Sequence, residues 1–191
     1  MEWLLQLDYL NNLDELERYC LQCRRCKLRN TSSRVVFGEG DSAAKLMLVG
    51  EAPGAEEEQQ GRPFVGNAGK LLNKILTASG FRREEVYITN VVKCRPPGNR
   101  NPTKEEADCC FVYLARQIEF IQPRLIVCLG LLATRYLVHR EASVSAVRGS
   151  LFTKGGIKIV PTYHPAALLH DASRKKPVWR DFKKIRKLYL Q

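Results

Sequence analysis

Four short apolar runs constrain this chain more than any other feature. Residues 46–49, 85–92, 125–130 and 157–163 are dense in Leu, Ile and Val. Runs of that length, rich in β-branched residues and bounded by turn formers or charges, read as buried strands of a parallel sheet. Between them, apolar residues return at helical spacing: Leu71, Leu72, Ile75 and Leu76, then Ala107, Cys110, Phe111, Leu114 and Ile118. A further short helix is expected through about Val138, and Thr103 with Glu106 forms a capping-box pattern ahead of the second stripe. Strand and helix in alternation predict an α/β chain with a parallel sheet covered on both faces. With 191 residues and no linker or repeat, one domain spanning 1–191 is expected.

The longest connection carries the most unusual composition. Residues 50–69, GEAPGAEEEQQGRPFVGNAG, follow the first strand and hold four glycines beyond the opening one, two prolines and the acids Glu51, Glu56, Glu57 and Glu58. The loop leaves the carboxyl end of its strand, the edge where open α/β sheets bind ligands. Two other loops leave the same edge: KCRPPGNRNP after residue 92 and HPAALLHD after residue 163. All three could converge there.

Two compositional facts narrow the chemistry. Lys and Arg number 31 against 20 Asp and Glu, a net charge of +11, which favours a polyanionic partner, nucleic acid before anionic membrane. The basic residues crowd into the last segment, 173–191, around a stripe of Val178, Phe182, Ile185 and Leu188. Seven cysteines are the second fact. CLQCRRC holds the overlapping pairs Cys20/Cys23 and Cys23/Cys26, and Cys94 and Cys110 stand far along the chain. In a chain expected to be intracellular, because it has neither a signal-peptide pattern nor an apolar run of membrane-spanning length, such a set points to a metal centre. The residues alone leave zinc and an iron–sulfur cluster both open, and leave the choice of C-x-x-C pair open too. Residues 2–22 are expected to be helical, through Leu4, Leu7, Leu10 or Leu13, Leu16 and Cys20; residues 34–40 read as a short strand or turn.

In their order and spacing, GEAPGAEEEQQGRPFVGNAG, VYITNVVKCRPPGNRNP, HPAALL and the four cysteines resemble the family 4 (iron–sulfur) uracil-DNA glycosylases over nearly the whole chain. The resemblance implies a three-layer α/β/α sandwich with a four-stranded parallel sheet. It implies an enzyme that flips uracil out of DNA, hydrolyses its N-glycosidic bond and leaves an abasic site for base excision repair. It selects Cys23 and Cys26, with Cys94 and Cys110, as ligands of a structural [4Fe-4S] cluster, leaving Cys20, Cys109 and Cys128 as ordinary thiols. Gly50, Glu57, Phe64, Asn90 and His164 would line the uracil pocket: Phe64 stacking on the base, Asn90 reading O4 and N3–H, Glu57 at the C5 edge. His164 would donate to the developing uracil anion at O2. Ala52 stands where other branches of the superfamily carry an aspartate, so Glu51 is the substitute for orienting water. Leu168 is expected to wedge into the duplex, and Lys93, Arg95 and Arg148 to contact DNA. Expected partners are uracil-containing DNA, single- or double-stranded, with a sliding clamp as a candidate; no membrane is expected, and the protein is expected to be a monomer in a prokaryotic cytosol. The rivals are a protein that captures uracil-DNA without turnover and a module that uses a cluster only to bind DNA. No histidine-bearing insertion follows Gly69, which counts against the first.

Overall fold

The computed structural model describes residues 7–191. A six-stranded sheet forms the middle layer: β1 (Glu39–Gly40), β2 (Leu46–Gly50), β3 (Tyr87–Asn90), β4 (Leu125–Leu129), β5 (Phe152–Lys154) and β6 (Ile157–Thr162), in the order β1-β3-β2-β4-β6-β5. The four inner strands are parallel, as the apolar runs predict, and the two-residue β1 and three-residue β5 add short antiparallel edges. Short, polar edges of this kind leave little open ladder for another chain to pair with. The chain places β3 on one side of β2 and then crosses to β4 on the other. That reversal opens a crevice at the carboxyl ends of the strands.

Alternation along each strand divides the core in two. Met47, Val49, Ile126, Cys128 and Ile159 face α1 (Leu13–Leu21), α2 (Leu28–Thr31), α5 (Lys104–Ile121) and α6 (Leu131–Leu137). Leu46, Leu48, Ile88, Val127 and Val160 face α4 (Asn67–Ala78), α8 (Pro165–His170) and α9 (Lys175–Tyr189). The three layers of the expected sandwich follow from this strict two-residue period. Two short helices, α3 (Ala55–Gln60) and α7 (Val144–Val147), complete the order.

Two sequence expectations change. Of the helix expected over 2–22, residues 2–6 lie outside the described residues; the remainder breaks before Asn12, whose side chain accepts from Glu15 N at 2.9 Å and starts α1 afresh. The wedge assignment of Leu168 is also corrected. Leu168 is 2% exposed and packs in the α4/α8/α9 core, whereas its neighbour Leu169 is 51% exposed. Successive residues of a helix point about 100° apart, so only one of two adjacent leucines can face the core, and packing against α4 and α9 chooses Leu168. No helix among the described residues is long and apolar enough to cross a membrane.

This division predicts a stability contrast. Leu168→Ala should lower the unfolding free energy by about 2–5 kcal/mol in urea titration, while Leu169→Ala stays within about 0.5 kcal/mol. Equal losses would return both leucines to the core.

Candidate active site

At the carboxyl edge, the loop after β2, the end of β3 and the turn after β6 enclose a cavity of about 390 Å³. Glu51, Glu57, Phe64, Asn90 and His164 line it, with Pro96, Asn99 and Arg100 at the basic loop. Four of the expected uracil-pocket residues and Glu51, expected to orient water, are thus brought together, and the fifth, Gly50, lies against Asn90 and Phe64. Parallel pairing sets Gly50 opposite Asn90. A Cβ on Gly50 would lie 2.3 Å from Asn90 Oδ1 and 2.6 Å from Phe64 Cζ, so no side chain fits there.

Asn90 is 2% exposed, and its Oδ1 has no hydrogen-bond partner. A buried, unpartnered carbonyl costs about 1–3 kcal/mol, and here it stands on the wall of a cavity. The imidazole of His164 is oriented by Ala166 N, which donates to Nδ1 at 3.1 Å at the start of α8. Nδ1 is therefore an acceptor, which puts the proton of the neutral ring on Nε2. Burial drives the His164 pKa down to about 4, against the opposing pull of Glu57. Its ring lies 5.4 Å from that of Phe64, tilted by 30°. Glu51 has its pKa raised by burial alone, with no cation to offset it.

The loop holding these groups is braced from within. Glu57 accepts from Gly54 N at 3.1 Å through one oxygen, and from Val65 N at 2.9 Å and Gly66 N at 2.8 Å through the other. Its carboxylate thus closes the loop as well as lining the pocket. Phe64 sits at φ 51°, a left-handed conformation that a non-glycine residue adopts only when held. Arg83 holds it: its guanidinium donates to Phe64 O at 3.1 Å, Pro63 O at 2.6 Å and Asn73 Oδ1 at 2.7 Å, and pairs with Glu39 at 2.6 Å. Gly69 leaves room for this turn, since a Cβ there would meet Phe64 O at 1.9 Å. Nothing in the sequence marked Arg83, because two of its partners are the backbone carbonyls of Pro63 and Phe64 and the others, Glu39 and Asn73, stand far from it along the chain.

The strand end carrying His164 has its own anchor. Asp181, 4% exposed in α9, accepts from Thr162 Oγ1 at 2.6 Å and pairs with Arg148 at 2.7 Å. Arg148 also donates to Pro177 O at 2.6 Å. Arg148, expected to contact DNA, sets its guanidinium against this buried carboxylate and the face of Tyr163, which it shares with Arg174. The expectation that Lys93 contacts DNA is corrected. It is 1% exposed, because the chain beyond β3 turns inward, and its Nζ donates to Thr89 Oγ1, Asn90 O and Gln117 Oε1. Burial pulls its pKa down to about 8 while Cys110 and Cys20 pull it up. Arg95 remains at the surface of the basic loop, steadied by Asn99 at 2.8 Å and Glu58 at 3.3 Å.

Cysteines from three segments meet behind this wall. Cys20, Cys23, Cys26, Cys94, Cys109 and Cys110 line one enclosed space with Lys93 and Tyr113. Cys128, in β4, lies apart from it, and Cys109 Sγ donates to Arg25 O. Lys93 N donates to Cys110 Sγ at 3.3 Å, the kind of contact that stabilises a thiolate. As free thiols, Cys94 and Cys110 are pushed up to about 12 by burial and would be inert. Among the described residues no three His, Cys, Asp or Glu side chains are arranged to hold a single metal ion. The donor chemistry nonetheless suits a thiolate-bound group, and a cluster whose irons each take one cysteine needs no three sulfurs around one point.

The comparisons agree with this geometry. The family model for the uracil DNA glycosylase superfamily matches residues 37–183, from the segment before β1 into α9. A type-4 uracil-DNA glycosylase of Archaeoglobus fulgidus is 44% identical over 187 residues, covering 94% of each chain. That of Sulfurisphaera tokodaii is 43% identical over 95% of this chain and 86% of its own, and that of Thermotoga maritima 48% identical over 81% of each. The cavity, its neutral histidine and its unpaired amide therefore sit in a chain that belongs to the uracil DNA glycosylase superfamily, in its type-4 branch.

Proposed function

We infer that the cavity at the carboxyl edge of the sheet is where this uracil-DNA glycosylase receives the flipped base and releases it from DNA. One observation carries the assignment: a buried Asn90 Oδ1 without a partner shares a cavity with a histidine whose Nε2 carries a proton. Uracil N3–H supplies the donor that Oδ1 lacks, and the Asn90 amide N–H₂ meets uracil O4. Phe64 stacks on the base. As the glycosidic bond opens, charge gathers on the uracil and His164 donates to it at O2, a neutral donor placed before the charge appears. Glu51 orients the water that attacks the sugar. Leu169, exposed on α8, takes the wedge role expected of Leu168. Arg95, Arg100 and the basic face of α9 attract the phosphates.

The same reading assigns Cys23, Cys26, Cys94 and Cys110 as ligands of a [4Fe-4S] cluster. When bound, the cluster supplies no step of the hydrolysis and joins α1, the basic loop and α5 into one wall. The protein is taken to act as a monomer. We place the enzyme in a prokaryotic cytosol, acting on single- or double-stranded DNA, with a sliding clamp as the partner to test.

Incubation with a uracil-containing oligonucleotide should release free uracil and leave an alkali-labile abasic site with turnover; a single covalent capture would sink the assignment. His164→Ala should lower kcat by about 10²–10³. Asn90→Ala should lose most excision while DNA affinity stays near wild type, and normal excision by that variant would mean the base is read elsewhere.

The pH dependence follows from opposite shifts. Glu51 must be ionised to orient water, and its raised pKa moves the acid limb of kcat/KM above the ordinary glutamate range. His164 stays neutral until about pH 4, so it adds nothing to that limb. Glu51→Gln should abolish the limb along with most activity. Because a raised folded-state pKa gives stability that is lost as pH rises through it, Glu51→Gln should also be the more stable protein at pH 7, read from its urea midpoint.

Purified protein should be brown, and Cys94→Ser or Cys110→Ser should bleach it while Cys128→Ser does not. A colourless protein holding one zinc would overturn the cluster.

A further inference from the structure

We propose that Lys93 is the buried countercation of the thiolate centre, and that through the Asn90 carbonyl it ties the charge of that centre to the position of the base-reading amide. The inference rests on the reading of the cysteines as ligands of a bound metal centre.

Geometry makes Lys93 a cation. Its Nζ lies 2.6 Å from Thr89 Oγ1, 2.7 Å from Asn90 O and 2.6 Å from Gln117 Oε1. Each of these atoms accepts. Thr89 has two acceptors for its own proton, Phe37 O at 2.8 Å and Gln117 Oε1 at 3.2 Å, and its oxygen is left to accept from the lysine. Gln117 donates through Nε2 to Phe37 O at 3.0 Å and Tyr87 Oη at 3.2 Å, which fixes Oε1 toward the lysine. Three acceptors match the three protons of an ammonium and exceed the two of an amine.

None of the three partners carries a negative charge, and the side chain is 1% exposed. A buried charge is strongly disfavoured unless an opposite one stands near it. The cysteine-lined space supplies that opposite charge. Lys93 borders it, and its own backbone N–H points at Cys110 Sγ from 3.3 Å. Metal-bound thiols are deprotonated outright, so four thiolates around a core of charge 2+ leave a net negative centre. The cation and the centre therefore satisfy one another. On its far side, the same ammonium grips the main-chain carbonyl of Asn90, whose side chain stands in the pocket. Lys93 is thus a positioning residue: it touches the protein behind the site and never the uracil.

The test compares Lys93→Met, which removes the charge, with Gln117→Leu, which removes one of the ammonium's three acceptors along with the Gln117 contacts to Phe37, Tyr87 and Thr89 but keeps the charge. Each is prepared with its metal bound. Lys93→Met should release metal to a chelator at least ~10-fold faster than Gln117→Leu. If the centre is a cluster, its reduction potential should fall in Lys93→Met alone, because the lost cation no longer favours the added electron. Excision by Lys93→Met should drop in kcat with little change in DNA affinity. If Lys93→Met fails to fold, Gln117→Glu substitutes for it: a carboxylate beside the ammonium neutralises it locally and should speed metal release relative to Gln117→Leu. Release rates and potentials that match Gln117→Leu would overturn the countercation role. Wild-type protein that binds no metal at all would instead overturn the cysteine reading on which it rests.

Discussion

The site depends on one close approach. Gly50 and Asn90 stand opposite each other where β2 and β3 end, and the space a Cβ would take on Gly50 is already filled by the Asn90 amide and the Phe64 ring. Parallel pairing fixes this juxtaposition before any side chain contributes, because the hydrogen-bonded register of two buried strands cannot slip by one residue without moving every core side chain to the opposite face. The Asn90 amide is therefore positioned by backbone pairing with the Phe64 ring packed beside it, and the remaining contacts keep the two from relaxing.

Those contacts come from three directions. Glu57 and Arg83 use charged groups to bind backbone N–H and C=O groups of the loop, so a segment that is mostly turn behaves as a rigid wall. Asp181 fixes the end of β6 from α9, two residues before His164. Lys93 secures Asn90 from behind. Each device is a buried or half-buried charge with several fixed partners, which is where ionic contacts are most sensitive to loss of either member.

Much of this was legible in the sequence. The β-branched runs gave the parallel strands, and the glycine-rich loop, VYITN and HPAALL gave Asn90, Phe64 and His164 as residues of one pocket. Two kinds of information were not legible. The first is rotation: adjacent leucines at 168 and 169 are equivalent as letters, and only the packing of α8 decides which is buried. The second is the direction of long basic side chains. Lys93 and Arg148 sit in basic-looking surroundings yet turn inward, one to neutral oxygens and one to Asp181. Arg83 carried no signal, since two of its partners are carbonyls that any sequence would provide and its side-chain partners, Glu39 and Asn73, are remote in the chain.

The hydrogen bond from Val91 N to Gly50 O, at 3.0 Å, has a chemical consequence beyond pairing two strands. Asparagine side chains age by the same hydrolytic loss of ammonia that turns cytosine into uracil. In a protein chain the reaction begins when the next residue's backbone nitrogen attacks the amide carbon. At Asn90 that nitrogen is tied to Gly50, belongs to a β-branched valine, and sits at the end of an extended strand that cannot fold back on itself. Ageing to aspartate would replace the amide's donor and acceptor with a carboxylate that only accepts. The strand that presents the amide to the cavity thus also preserves it, in an enzyme whose substrate base arises by the same loss of ammonia.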